Sequence, residues 1–165
     1  MGDMQSLVDS FARQHFAALA MLRQAVEVCP EDLWLDGEFP RSTWRIAYHA
    51  AYYVHLYLYP DLESFTVWEK HREKAGQLWG SPKQVDPYTR EEMMAYIDLI
   101  VKEVPERLPL LDWNSPESGF PWYENCGKVE HMILSLRHVQ GHTGQISELL
   151  LARGIETDWI GNWQG

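Results

Sequence analysis

The chain has 165 residues, 45% of them hydrophobic, which suits a single domain over residues 1–165 with a hydrophobic core. Its formal net charge of −10 argues against nucleic acid and anionic membranes as partners, and no run approaches the ~18 apolar residues of a membrane span. The N-terminal residues lack the order of a signal peptide, and two cysteines are too few for a disulfide framework, so we expect a cytoplasmic protein.

The first predicted helix covers about residues 4–28, where apolar residues recur at helical spacing and Pro30 closes the segment. His15 falls on the apolar stripe, so we expect a core or rim histidine with a hydrogen-bond partner. We interpret Cys29 and Cys126 as small buried hydrophobic residues.

The second predicted helix begins after Pro40 and stops at Pro60. Apolar and aromatic residues surround it on nearly every side, which indicates the central helix of the fold. His49 lies in its middle, and Tyr52 and Tyr53 follow one turn later. These three residues are candidates to line a site inside the protein.

Residues 61–86 are the least regular part of the chain, and residues 64–80 contain an amphipathic pattern that predicts a short helix. His71 lies in a charged run, which indicates a solvated face. His55 is six residues after His49 and about 120° further round the helix, so the two cannot share one target. We expect His55 to be structural or exposed.

The third predicted helix has the clearest start signal, because Thr89 and Glu92 stand at the spacing of a capping box. Its apolar face continues to Val104, after which Pro105 ends or kinks the helix. A link rich in proline, glycine and tryptophan then leads to a fourth helix, for which Asn125 is the predicted N-cap.

The fourth predicted helix covers residues 130–153, with Gly154 just after its last turn. Its apolar residues recur at spacings of three and four. His138 and His142 are four residues apart, so their side chains point to one face, one turn apart. At this spacing two imidazoles can bind one metal ion, and His49 is the candidate for a third ligand.

Two glycines, Gly141 and Gly144, flank His142 and should each cost the helix about 1 kcal/mol relative to alanine. One interpretation is that the helix breaks here and places the histidines in a loop. We favour a continuous helix, because the apolar periodicity resumes in register at Ile146. The glycines then indicate that a neighbouring helix or a ligand approaches the backbone closely.

Strand signals are almost absent, and four long amphipathic segments joined by loops predict an all-α fold, an antiparallel four-helix bundle. Sites in such bundles are built in the core from facing helices, where His49, His138 and His142 would meet. His131 lies two turns, about 10 Å, before His138 and cannot reach the same ion. We expect it to be a core or pocket-end residue with a hydrogen-bond partner.

Three neutral imidazoles on a divalent ion leave one or more coordination positions open, whereas a structural site usually fills all four, often with cysteine. A site made only of histidine suits Zn²⁺ or Ni²⁺ better than Fe²⁺, whose oxygenase site includes a carboxylate. The open position could hold a water molecule with a lowered pKa, or a thiol deprotonated to a nucleophile.

The pattern of His138, His142 and Gln145, read as H-x-x-x-H-x-G-Q, resembles the signature of the last long helix in DinB/YfiT-like proteins. Trp44 and His49, read as W-x-x-x-x-H, resemble that family's second-helix segment, which supplies its first ligand. The resemblance covers nearly the whole chain in helix order and length, while the motif covers only these two segments. It implies a four-helix bundle with a divalent metal bound by the three histidines, often in a homodimer.

Members of that family with assigned activity include transferases of low-molecular-weight thiols and a thiol-dependent isomerase, and many members have no assigned activity. Members often carry His-His-Arg-Gly-Gln, whereas here Gly141 precedes His142 and Thr143 replaces the arginine. The metal ligands survive this change, but no arginine stands at that position. Gln145 matches the family pattern and could orient a ligand or the substrate by hydrogen bonding.

Two functions of different classes follow. The first is a divalent-metal-dependent transferase that activates a low-molecular-weight thiol for attack on an electrophilic small molecule, with Tyr52 and Tyr53 as pocket-wall or acid candidates. The same tyrosines are as readily interpreted as core aromatic residues. The second is a non-catalytic metal- or small-ligand-binding bundle in which a structural ion staples the second and fourth helices. The sequence assigns no catalytic residue.

The C-terminal tail contains Trp159 and Trp163, whose rings must pack either on their own chain or on a partner. The family resemblance, together with the aromatic residues of the last link and the tail, predicts a homodimer with a two-fold interface. These aromatic residues include Trp113, Trp122, Trp159 and Trp163. The sequence identifies neither the substrate nor the thiol.

Overall fold

A computed structural model describes residues 2–163 of the chain. The helices are α1 (Gly2–Val28), α2 (Glu31–Leu35), α3 (Thr43–Tyr57), α4 (Arg90–Arg107) and α5 (Lys128–Leu151), with a 3₁₀ turn over Leu108–Leu110. The described residues contain no strand, so the predicted all-α class is confirmed. Within the same residues, no helix combines the length and the apolar character that crossing a membrane requires.

The first long helix, α1, ends at Val28 as predicted and begins two residues earlier than predicted. His15 lies on its buried face, where Nδ1 is 2.7 Å from the carbonyl oxygen of Phe11. The predicted core position and hydrogen-bond partner of His15 are therefore confirmed. Cys29 and Cys126 are buried, as expected of small hydrophobic residues.

The short helix α2 lies in the link between the first two long helices and was not predicted. Its first turn carries Glu31 and Asp32, whose negative charges are favourable at a helix N-terminus. The indole N–H of the buried Trp34 donates to the carbonyl oxygen of Tyr88 (2.7 Å), which ties the link to the segment before α4. Five residues are too few to show a helical period, which is why the sequence did not indicate this helix.

The predicted capping box begins α4. The Thr89 hydroxyl accepts a hydrogen bond from the Glu92 amide, and the Glu92 carboxylate accepts one from the Thr89 amide. These two bonds satisfy amide groups that have no partner inside the helix. The helix then continues past Pro105 to Arg107, so Pro105 does not end it.

The helix that carries two of the candidate ligands, α5, begins at Lys128 with Gly127 as its N-cap. The predicted N-cap at Asn125 was wrong, because Asn125 lies in the preceding turn with a φ of 55°. The helix runs without a break through both of its interior glycines, as predicted. Just after it, Gly154 has a φ of 75°, the left-handed conformation that commonly terminates a helix.

The segment between α3 and α4, residues 58–89, contains turns and no helix, so the short helix predicted over residues 64–80 was wrong. The guanidinium of Arg45, on α3, holds this segment in place and is almost fully buried. It donates hydrogen bonds of 2.7–3.0 Å to three carbonyl oxygens, those of Lys74, Gln77 and Lys83. These bonds satisfy backbone groups that a helix would have paired internally.

Two other histidines are explained by contacts with tyrosines. His71, which we expected on a solvated face, is half-buried, with Nδ1 2.7 Å from the Tyr48 hydroxyl and its ring stacked on Tyr52. That expectation was wrong because the charged neighbours of His71 in sequence do not set its direction in a turn. His55 is buried with Nδ1 3.0 Å from the Tyr96 hydroxyl, so of its two expected roles the structural one is confirmed.

Helices α3 and α5 pack against each other and run in opposite directions. The ring of Tyr53 lies 5.5 Å from that of His138, whereas Tyr57, one turn later, lies 4.3 Å from His131, two turns earlier. Helix α1 packs against both α4 and α5, and α3 also packs against α4. The candidate ligands therefore lie at an interface between two of the four long helices.

Candidate metal centre

The position of the proton on His49 follows from its surroundings. His49 lies in the middle of α3 and is fully buried. Its Nδ1 is 2.6 Å from the carbonyl oxygen of Gly76, in the segment that Arg45 holds in place. Because a carbonyl oxygen only accepts hydrogen bonds, His49 carries its proton on Nδ1 and presents the lone pair of Nε2 towards α5.

The ring of His142 is oriented in the same way by its own helix. Its Nδ1 is 2.8 Å from Oε1 of Gln145, one turn later on α5. The amide oxygen accepts the Nδ1 proton, which leaves Nε2 of His142 free to bind a cation. Gln145 is therefore placed to orient a ligand, which is one of the two roles that the sequence suggested for it.

The third histidine, His138, lies one turn before His142, and its Nε2 is 2.9 Å from Nε2 of His49. One nitrogen from each of the three residues lies within 4.8 Å of the others. Two nitrogens that bind one ion at about 2.0–2.1 Å are about 2.9 Å apart at a right angle and about 3.4 Å apart in a tetrahedron. The three histidines therefore form a group that could bind one metal ion.

Burial lowers the pKa of all three imidazoles, which keeps them unprotonated and able to bind a cation at neutral pH. Burial brings the pKa of His49 to about 3, against a smaller opposing effect of its bond to the Gly76 carbonyl. Burial, together with the neighbouring His142, brings the pKa of His138 to about 4. The pKa of His142 is also lowered, mainly by burial.

The donor set consists of histidine alone. No cysteine or carboxylate within residues 2–163 joins the three-histidine group. Three protein ligands leave at least one coordination position of a bound ion for a water molecule or a small molecule, the arrangement typical of catalytic rather than structural zinc sites. These three residues therefore suit a metal ion that keeps at least one coordination position for a water molecule or a small molecule.

Aromatic rings border the three histidines. The ring of Tyr53 lies 4.8 Å from His49 and 5.5 Å from His138, and the ring of Trp79 lies 5.2 Å from His49. Trp79 is 62% exposed, so its ring borders the site on the solvent side. The sequence did not indicate Trp79, because a single tryptophan in an irregular segment gives no periodic signal.

The two tyrosines predicted to lie near His49 take different positions. Tyr53 borders the site, and burial raises the pKa of its hydroxyl, which stays protonated at neutral pH. Tyr52 instead packs its ring against Phe65 and His71, in the segment between α3 and α4. Of the two, only Tyr53 is placed to meet a molecule bound at the three histidines.

His131 is fully buried and does not belong to the three-histidine group. Its ring packs against Tyr57, two turns from His138, so the prediction of a core residue that is not a ligand is confirmed. Neither ring nitrogen has a hydrogen-bond partner among the described residues, so the predicted partner of His131 is not a described protein group.

The two glycines beside His142 face open space. A Cβ atom placed on Gly141 or Gly144 would meet nothing within 4 Å, so of the two predicted neighbours the helix does not approach there, and the ligand stays a prediction. The helix continues through both positions because Val139 and Ile146, on either side of them, are fully buried and hold it against the core.

The fold and these contacts define an all-α protein with a three-histidine group that could bind a metal ion. No family model matches the chain, and no curated protein or solved structure matches it either. The resemblance to DinB/YfiT-like proteins therefore stays a prediction from the two sequence segments.

Proposed function

We propose that this chain is a DinB/YfiT-like four-helix bundle that binds one first-row divalent ion, zinc or nickel, through His49, His138 and His142. The observation that carries the proposal is the convergence of three unprotonated imidazoles from two helices on one point. Imidazole nitrogens without a carboxylate suit these two metals better than iron or magnesium.

The activity that this arrangement supports best is the transfer of a low-molecular-weight thiol to an electrophilic small molecule. A divalent ion with an open position supplies the Lewis acidity that keeps a thiol deprotonated at neutral pH. The residues of the chain orient the imidazole rings and border the position of the substrate. Gly76 and Gln145 fix two of the ligand rings, and Trp79 and Tyr53 border the position where the substrate must approach.

In the proposed transfer, the thiolate sulfur forms a bond to the electrophilic carbon, and the leaving group departs with the electron pair of the bond that breaks. The thiol proton passes to solvent. Tyr53 borders the site and its hydroxyl is protonated at neutral pH, so it is the candidate to donate a hydrogen bond or a proton to the departing group. Its raised pKa makes it a weak acid, which suits hydrogen bonding better than full proton transfer.

A second function, a bundle with a structural ion, is supported by the placement of the ligands on two different helices. An ion shared by α3 and α5 would cross-link them and contribute to folding. Metal removal separates the two functions. A structural ion leaves the protein much less stable when a chelator removes it, whereas an enzyme site can lose its metal and keep its fold.

Elemental analysis of native protein tests the metal site. We expect close to one zinc or nickel ion per chain, none in the double variant His138→Ala/His142→Ala, and sharply less in His49→Gln. The matched control is His15→Gln, which changes a buried histidine on α1, outside the group, and should keep its metal. Native protein that is free of metal and cannot be reconstituted would exclude the site.

A transfer assay tests the activity. Metal-loaded and metal-stripped protein are compared with a panel of low-molecular-weight thiols and an aryl halide whose thioether product absorbs visible light. We expect product from the metal-loaded native protein and none from the metal-stripped protein. The variant His49→Gln should give no product in either preparation. Stoichiometric metal, a large loss of stability on chelation and no transfer with any thiol would instead establish the structural ion.

A further inference from the structure

The three proposed ligands differ in what holds the ring nitrogen that faces away from the ion. A carbonyl oxygen holds Nδ1 of His49, and an amide oxygen holds Nδ1 of His142. The Nδ1 of His138 is fully buried and has no partner among the described residues. A metal-binding histidine almost always donates this N–H to a carboxylate, a carbonyl oxygen or a water molecule. No group within residues 2–163 supplies this partner for His138.

Two further polar side chains continue from His138 along the same face of α5. Ser135 lies three residues earlier and His131 seven residues earlier, which are spacings of one helix face. Both side chains are almost fully buried. The Ser135 hydroxyl and both ring nitrogens of His131 have no hydrogen-bond partner within residues 2–163. We refer to His131, Ser135 and His138 as the buried polar row.

Unpartnered atoms follow one another along the buried polar row, over two turns of α5. The row contains four of the eight buried side-chain polar atoms that lack a hydrogen-bond partner in the described chain. One shared partner explains these four atoms better than four unrelated causes. Comparable side chains elsewhere bond to their own helix. The hydroxyl of Thr143 donates to the Val139 carbonyl at 2.8 Å, and His15 bonds to the Phe11 carbonyl at 2.7 Å. The row makes no such bond.

The partner of His138 must also be able to reverse its role. Without an ion, His49 presents a lone pair to His138 at 2.9 Å, so His138 donates from Nε2 and its Nδ1 is an acceptor. With an ion on Nε2, the proton lies on Nδ1, which becomes a donor. A hydroxyl group or a water molecule can serve both states, whereas a carbonyl oxygen serves only the second.

We propose that the buried polar row binds a chain of water molecules between His138 and His131, and that Ser135 is a positioning residue that holds His138 through it. The inference rests on the proposed metal function. A buried water molecule typically makes about three hydrogen bonds to polar groups that would otherwise be unpaired, and the row offers such groups along its length. Aromatic rings at 4.3–5.5 Å from the ring of His131 close its far end: Tyr57, Phe120 and Tyr123.

Zinc affinity, measured by competition with a chromophoric chelator, tests the positioning role. Ser135→Ala should weaken zinc binding about tenfold, the smaller of the effects usual for loss of a partner of a metal-binding histidine. Ser135→Thr keeps the hydroxyl and should restore most of the affinity. The matched control is Thr143→Val, which removes a buried hydroxyl that bonds only to its own helix and should leave the affinity unchanged. Equal affinities of native protein and Ser135→Ala would overturn the positioning role.

The water molecules are tested in metal-free protein by NMR, so this result does not depend on metal binding. Rotating-frame Overhauser contacts with water should appear at the ring protons of His131 and His138, and their absence from both rings would overturn the proposal. The ¹⁵N ring shifts of His138 should place its proton on Nε2 without zinc and on Nδ1 with zinc. If the water contacts appear and native protein binds no zinc, the proposed metal function fails while the hydrated row stands.

Discussion

The buried His15 makes the stability of the folded protein depend on pH. Burial lowers the pKa of His15 from 6.5 to about 4, against a smaller opposing effect of its bond to the Phe11 carbonyl. In the unfolded chain the same imidazole titrates near 6.5. Between these values the unfolded state binds a proton that the folded state does not. The stability that His15 contributes is therefore complete above about pH 6.5 and is lost as the pH falls towards 4.

We predict that His15→Leu makes the stability of metal-free protein less dependent on pH. Between pH 7 and pH 4, its free energy of unfolding in urea should fall by about 3 kcal/mol less than that of the native chain. The control is Ser10→Ala, a partly exposed position on the same helix whose side chain does not titrate. Identical pH dependence in His15→Leu and native protein would show that His15 does not fold in its neutral, buried form.

The N-termini of α3 and α4 differ in whether a side chain caps the helix. Thr89 caps α4 through its hydroxyl, whereas Ser42, at the same position of α3, makes no side-chain cap hydrogen bond. We predict that Thr89→Ala lowers the free energy of unfolding by about 1 kcal/mol, because it leaves the Glu92 amide without its partner. Ser42→Ala should change it little. Urea unfolding of both variants measures the difference, and equal effects would contradict the capping assignment.

The interior glycines of α5 lead to a prediction of the opposite sign. Gly141 and Gly144 sit in a regular helix with open space where a Cβ would lie, so alanine costs nothing in packing. Each change to alanine should raise the free energy of unfolding by about 0.5–1 kcal/mol. Gly119 is the contrasting position, because its φ is 87° and a Cβ would lie 1.9 Å from the Pro60 carbonyl oxygen.

Gly119→Ala should therefore destabilise the protein in the same urea titrations. Loss of stability in Gly141→Ala or Gly144→Ala would indicate that a group beyond the described contacts packs against α5 at that point. Binding of a small molecule that is weakened in these variants while their stability rises would show that the open space belongs to the ligand.

The elements that the sequence predicted are those whose signals are local. Four long helices follow from apolar periods, and the start of α4 follows from Thr89 and Glu92. The pair of candidate ligands on α5 follows from a four-residue spacing. The orientation of His49 could not be predicted in this way. It depends on the carbonyl oxygen of Gly76, 27 residues away in an irregular segment.

Arg45 illustrates the same limit. A charged residue on an apolar helix carries no signal that it will bond to three carbonyl oxygens of a distant segment. The amphipathic pattern of that segment does not become a helix, because the bonds from the guanidinium to its backbone define its path. Its fold, and with it the positions of Gly76 and Trp79, follows from tertiary contacts that no window of sequence contains.

The C-terminal tail, residues 155–163, packs on α1 of its own chain through polar contacts. Gln24 on α1 accepts from the backbone amide of Asp158 at 2.8 Å and donates to its carboxylate at 3.1 Å. Gln14, nearly three turns earlier, donates to the carbonyl oxygen of Gly161. The backbone of the tail therefore lies along α1, while the ring of Trp159 between these contacts remains 75% exposed.

The four tryptophans that suggested a homodimer do not contribute equally. Trp113 is buried in its own chain against Phe11, so it does not add to the exposed aromatic surface. Trp122 and Trp163 are partly exposed, and Trp159 has the most exposed ring of the four. A large indole held in place by a docked backbone and left open to solvent is the kind of surface that a partner chain covers.

We predict that the protein is a homodimer whose two-fold interface includes Trp159. Native protein should sediment as a dimer at micromolar concentration, and Trp159→Ser should shift it towards the monomer, because the indole supplies much of the apolar area on that face. Trp79→Ser is the matched control, since Trp79 is similarly exposed but lies beside the three histidines. A native monomer would contradict the dimer. If Trp79→Ser dissociated the dimer and Trp159→Ser did not, the interface would lie over the three histidines. A small molecule would then have to reach these histidines from between the two chains.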